Sequence, residues 1–156
     1  MDAQDVALLV GSAVSLVVLG AVGWGQTRPV RVPTVGRWTR TPVVIPGPGV
    51  GETNLDIARA TWAGLGHRSV VLHTGPADIS IVVDPALVDR GKTVCTVVNG
   101  STITRAEIRV KPGATALDLA HELGHAFGYL HPYLCPSGHL MHPRHPGWNA
   151  RGLEHP

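Results

Sequence analysis

The sequence predicts an α/β (α+β) layer fold for a chain of 156 residues. Three observations carry that expectation. Short, β-rich apolar runs recur between residues 41 and 110, two helix-patterned segments lie at 53–65 and 115–127, and Gly or Pro marks most junctions. A strand–helix–strand passage followed by further strands and a second helix suits packed layers better than an all-helical bundle. The length fits one domain with a proper core. Hydrophobic residues make up 44% and aromatics only 4%, so Val, Leu, Ile and Ala must fill that core. Net charge is +2 with no block of Lys or Arg, which argues against a nucleic-acid partner. No internal repeat is visible.

Three stretches follow one another. Residues 1–25 contain Val6 to Trp24, VALLVGSAVSLVVLGAVGW, uncharged over 19 positions. A membrane-crossing helix needs about 20 such residues. We read 6–24 as a retained single-pass membrane anchor, against a signal peptide or a core helix. Asp2 and Asp5 do not suit the positive start of a signal peptide, and the stretch is apolar on every side rather than on one stripe. The side of the membrane stays open. Arg28, Arg31, Arg37 and Arg40 after the span favour a cytoplasmic domain, whereas a disulfide would favour the other side. Residues 26–40 read as a Pro- and Gly-rich extended linker, and 41–156 as the folded domain.

Within that domain, Thr41–Pro46 is a candidate first strand, ended by Pro46-Gly47-Pro48-Gly49. Thr53–Leu65 reads as a helix with Leu55, Ala58 and Trp62 on one face and Gly64 and Gly66 at its close. Arg68–His73 and Asp78–Val83 are short β runs. Thr93–Val98 and Thr102–Val110 flank Asn99-Gly100, a strong hairpin signal. Thr115–Phe127 is the second helix, with Thr115 and Asp118 spaced as a capping box. Cys95 and Cys135 allow one disulfide, with two unrelated thiols as the other reading.

Six of the nine histidines fall between His121 and His145. His121 and His125 are four apart, so a helix projects both from one side. Glu122 leans over the same face. Gly128 can take a left-handed conformation and stop the helix, which lets the chain swing back and offer His131. Three imidazoles leave a zinc ion one open position, a catalytic rather than a structural pattern. His139, His142 and His145 read as loop residues. Asp118 reads first as a helix cap and second as a partner of the metal site.

The run His121, Glu122, His125, Gly128, His131 matches HExxHxxGxxH, and Met141 follows in SGHLMHP ten residues after the third histidine. In both features the sequence resembles the metzincin metallopeptidases, closest to the matrixin branch. The resemblance implies a zinc endopeptidase domain with one catalytic Zn2+. It implies a twisted mixed five-stranded sheet, a backing helix, an active-site helix, and an antiparallel edge strand along which a protein or peptide substrate lies extended. Thr93–Val98 is the candidate edge, with a plain core strand as the other reading. Glu122 would act as general base, and Met141 would lie beneath the metal as an apolar floor, unless it is simply a core methionine. Departures narrow the expectation. No cysteine precedes the domain to serve as a latency switch, and Pro85–Ser101 lacks the branch's structural-zinc pattern, so no calcium is expected either. Pro143 stands where some relatives carry tyrosine, and only 15 residues follow Met141. A membrane-tethered zinc-binding module without proteolytic activity is the alternative function.

Overall fold

The computed structural model describes residues 30–144 and 146–153. The membrane anchor expected at 6–24 lies outside them, as does His145. Among the described residues, no helix is long and apolar enough to cross a membrane.

The elements are β1 (Val43–Pro46), α1 (Glu52–Gly64), β2 (Val70–Val71), β3 (Ile79–Val83), β4 (Gly91–Val98), β5 (Thr102–Val110) and α2 (Ala116–Ala126). The five strands form one mixed sheet in the order β2-β1-β3-β5-β4. Every neighbouring pair is parallel except β4 and β5. That exception follows from the connection. Asn99 and Gly100 both hold positive φ, 52° and 70°, in the short connection of residues 99–101 between paired Val98 and Thr102. β4 therefore folds straight back on β5 and lies at the edge of the sheet.

One face of the sheet is apolar and covered. Ile79 and Ile81 on β3, and Ala106, Ile108 and Val110 on β5, are buried, while Val82, Arg105 and Arg109 between them face outward. Leu55, Ala58 and Trp62 of α1 and Leu119 and Leu123 of α2 close the covered face into one core. Trp62 fills its middle. Its indole N–H donates to Ala120 O at 2.7 Å, and its ring stacks on Tyr129 at 5.4 Å. Gly124 faces Trp62 and Met141 so closely that a Cβ there would overlap both side chains.

The strand expected over 68–73 is reduced to Val70–Val71. Gly66 turns the chain with φ 91°, and β2 pairs only with β1, itself four residues long. The segment before β1 carries no regular element, but it is bonded to the domain. Val35 N–H donates to Gly128 O, Leu130 N–H to Pro33 O, Arg37 N–H to Ser101 O and Ile103 N–H to Arg37 O. The indole of Trp38 adds a bond to Ala126 O at 2.8 Å.

Candidate metal centre

Helix α2 starts on the predicted capping box. The Thr115 hydroxyl accepts from Asp118 N–H, and the Asp118 carboxylate accepts from Thr115 N–H at 3.0 Å. Asp118 is thus a cap, further paired with Arg90 at 3.5 Å, and makes no bond to an imidazole. The helix ends in a Schellman motif: Tyr129 N–H reaches back to Gly124 O and Gly128 N–H to His125 O. Gly128 has φ 102°, and a Cβ there would collide with the Gly36 carbonyl. Only glycine meets both demands, and the reversal it allows brings His131 over the helix face.

The three imidazoles converge. Nε2 of His121 lies 3.2 Å from Nε2 of His125 and 3.4 Å from Nε2 of His131. One ligand atom from each residue falls within 4.8 Å of the others. The far nitrogens of the two helical rings are occupied. His121 Nδ1–H donates to Leu140 O at 2.7 Å, and His125 Nδ1–H donates to Tyr129 O at 2.8 Å. Those bonds fix the tautomer and leave both Nε2 lone pairs facing one point. Burial lowers the pKa of all three rings, that of His125 to about 4, so each is neutral and ready to coordinate at pH 7.

The donor set fits a metal ion. Nitrogens about 2.0–2.1 Å from a tetrahedral centre lie about 3.3–3.4 Å apart, close to the two spacings seen here. Without a cation, facing lone pairs repel at such distances. Three residues are therefore positioned to hold an ion, and their chemistry alone does not select zinc.

Glu122 sits beside them with only 5% of its surface exposed. Thr93 on β4 donates its hydroxyl to Glu122 Oε2 at 2.6 Å. Burial pushes the carboxyl pKa up to about 7, and the Thr93 bond opposes that rise. Met141 is fully buried beneath α2 against Gly124. His121, Glu122, His125 and His131 open together on a cleft of about 830 Å³, with β4 along one side and Pro143 and Arg144 on another.

The bridge allowed by the sequence is not formed: Cys95 and Cys135 are free thiols, and Cys95 donates to His125 O at 3.3 Å. His139 is a loop residue, as expected, but not a solvated one. It is fully buried, its Nε2–H donates to Arg151 O at 2.9 Å, and its Nδ1 accepts from Met141 N–H at 3.1 Å. It ties the turn that carries Met141 to the segment around Arg151. His142 accepts from Arg144 N–H at 3.1 Å. Neither joins the three-imidazole cluster.

Sequence reading missed Thr93 and the carbonyls of Tyr129 and Leu140. Thr93 carried a usable signal, since it shares a β4 face with Cys95 and Val97 at a period of two. The carbonyls carried none, because every residue has one. A scan against protein-family models finds no match for this chain, and a search of curated proteins finds none either, so the site is read from its own atoms.

Proposed function

We propose that this chain is a zinc-dependent endopeptidase of metzincin type, closest to the matrixins, tethered to a membrane through residues 6–24. The observation that carries the reading is the convergence of three Nε2 atoms, two of them aimed by backbone carbonyls, next to a buried glutamate. His121, His125 and His131 would hold the ion, which when bound supplies Lewis-acid activation of water and of the scissile carbonyl.

The remaining work belongs to the chain. Glu122 takes a proton from the attacking water at its carboxylate and returns it to the departing amine. Burial raises its carboxyl pKa to about 7 in the metal-free chain, and a bound cation would draw it back toward the ionised form that accepts a proton. A structural zinc site has no use for such a carboxylate, and its burial costs stability, which favours catalysis over mere metal storage. Free β4 edge groups can hydrogen-bond an extended peptide and align it with the cleft.

The deciding experiment measures zinc content and cleavage of casein or gelatin, with and without chelator. Wild type is expected to bind zinc and cleave, and Glu122→Ala to keep zinc while losing about 10²–10⁴-fold in rate. Zinc binding without turnover on any unfolded protein would instead support a non-catalytic zinc module. A Glu122→Ala variant cleaving at the wild-type rate would remove Glu122 as the base.

A further inference from the structure

Strand β4 is bonded to the site helix by side chains as well as packed on it. Thr93 and Cys95 sit two residues apart on the face turned toward α2. Thr93 donates to Glu122, and Cys95 donates to the His125 carbonyl one turn later. The Thr93 hydroxyl has a single hydrogen. Its 2.6 Å approach to Glu122 Oε2, against 3.1 Å to Glu122 O, places that hydrogen on the carboxylate. The other carboxylate oxygen packs on Gly91, where a Cβ would overlap it. One oxygen is thus held by a hydrogen bond and the other rests against bare backbone. A flexible glutamate side chain is confined to one orientation by two β4 residues spaced two apart.

We propose that Thr93 is the positioning residue for Glu122, with Gly91 supplying the space the carboxylate needs. This rests on the peptidase reading above. Thr93 would touch neither substrate nor metal in that reading; it acts through Glu122, by holding the carboxylate of the base in place. β4 is also the sheet edge on which an extended peptide would lie. The strand that receives the substrate is therefore the strand that aims the base, and seating a peptide there reaches Glu122 through one hydroxyl.

The test compares Thr93→Val, which keeps shape and loses the donor, with Thr93→Ser, which keeps the donor. Both are made in the full chain, solubilised in detergent and loaded with zinc. Bound zinc and melting temperature should match wild type in both variants. For Thr93→Val, kcat on a casein-derived peptide should fall about 10–100-fold with KM nearly unchanged, and Thr93→Ser should stay within a few-fold of wild type. A wild-type kcat in Thr93→Val, or equal losses in both variants, overturns the proposal. A crystal structure of zinc-loaded Thr93→Val decides the same point without turnover. The Glu122 carboxylate should leave the position beside β4, and an unmoved carboxylate refutes the role. If wild type shows no turnover, the peptidase reading fails, while the carboxylate position still decides what Thr93 does.

Discussion

Helix α1 buries Leu55, Ala58 and Trp62 and turns Glu52, Asp56 and Ala60 to water; helix α2 buries His121 and Glu122 along with Leu119 and Leu123. The two lie against the same sheet face and share one core. α1 behaves as packing alone demands, with one apolar stripe and a solvated back. It begins at Gly51 with no side-chain cap, whereas α2 begins on a full capping box and ends on a Schellman turn. A helix present only to fill space gains nothing by desolvating a carboxyl and two imidazoles. α2 does so and is fastened at both ends, on a third side by β4, and beneath by Leu140 and Met141. Precise placement of a costly polar group is a sign of chemistry rather than of folding.

Four measurements would sharpen or break this contrast. The largest effect falls on the metal: if the proposal holds, His131→Ala should weaken zinc affinity by more than about 100-fold in equilibrium titration, since it removes one of the three imidazoles positioned for an ion. Affinity equal to wild type would exclude His131 from the site. Next comes the core of α1. Trp62→Ala should cost about 3–5 kcal/mol by denaturant unfolding, from lost packing plus the bond to Ala120 O. A loss under about 1 kcal/mol would show that α1 does not anchor α2.

The third concerns metal-free protein. Glu122 has its pKa raised from 4.5 to about 7, so the folded state holds more protons in that window and stability falls as pH rises through it. Glu122→Gln removes that loss. With chelator present, the variant should be more stable than wild type by roughly 1–3 kcal/mol above pH 7 and no different below pH 4.5. His125 works the other way. Its pKa falls from 6.5 to about 4, so both proteins lose stability as pH drops through that range. A difference between them that ignores pH would mean the carboxyl is not desolvated. The smallest pair tests the helix ends. Thr115→Ala should cost about 1 kcal/mol through the cap, and Asp56→Ala less than about 0.5, because Asp56–Arg59 is a surface ion pair. Equal thermal shifts for the two would deny that α2 is specially fastened.

Much of this site could be read from residue order. The spacing of His121, His125, Gly128 and His131 already implied one helical face and one reversal, and both are present. The capping box, the Asn99-Gly100 hairpin and the two helices were equally legible, because each is set by local chemistry. The strands emerged with ragged ends. Arg68–His73 looked uniform as sequence, yet only two of its residues find a partner strand, a fact fixed by β1 and not by their own propensity. The bonds that aim the imidazoles were illegible, because they come from main-chain oxygens whose positions depend on the whole fold. The burial of His139 was illegible for the related reason that its partners, Arg151 O and Met141 N–H, are also backbone groups.

The bonding of residues 33–38 across the bend at Gly128–Leu130 has a practical side. A recombinant fragment trimmed to begin at Thr41, where the first strand reads most plainly, would discard Val35 and Arg37 and the indole that reaches Ala126. It would also uncover the back of the turn that presents His131. Shortened versions intended for assay or crystallisation should start no later than Val30, and inactivity in a shorter one would speak of the trimming rather than against the proposed activity.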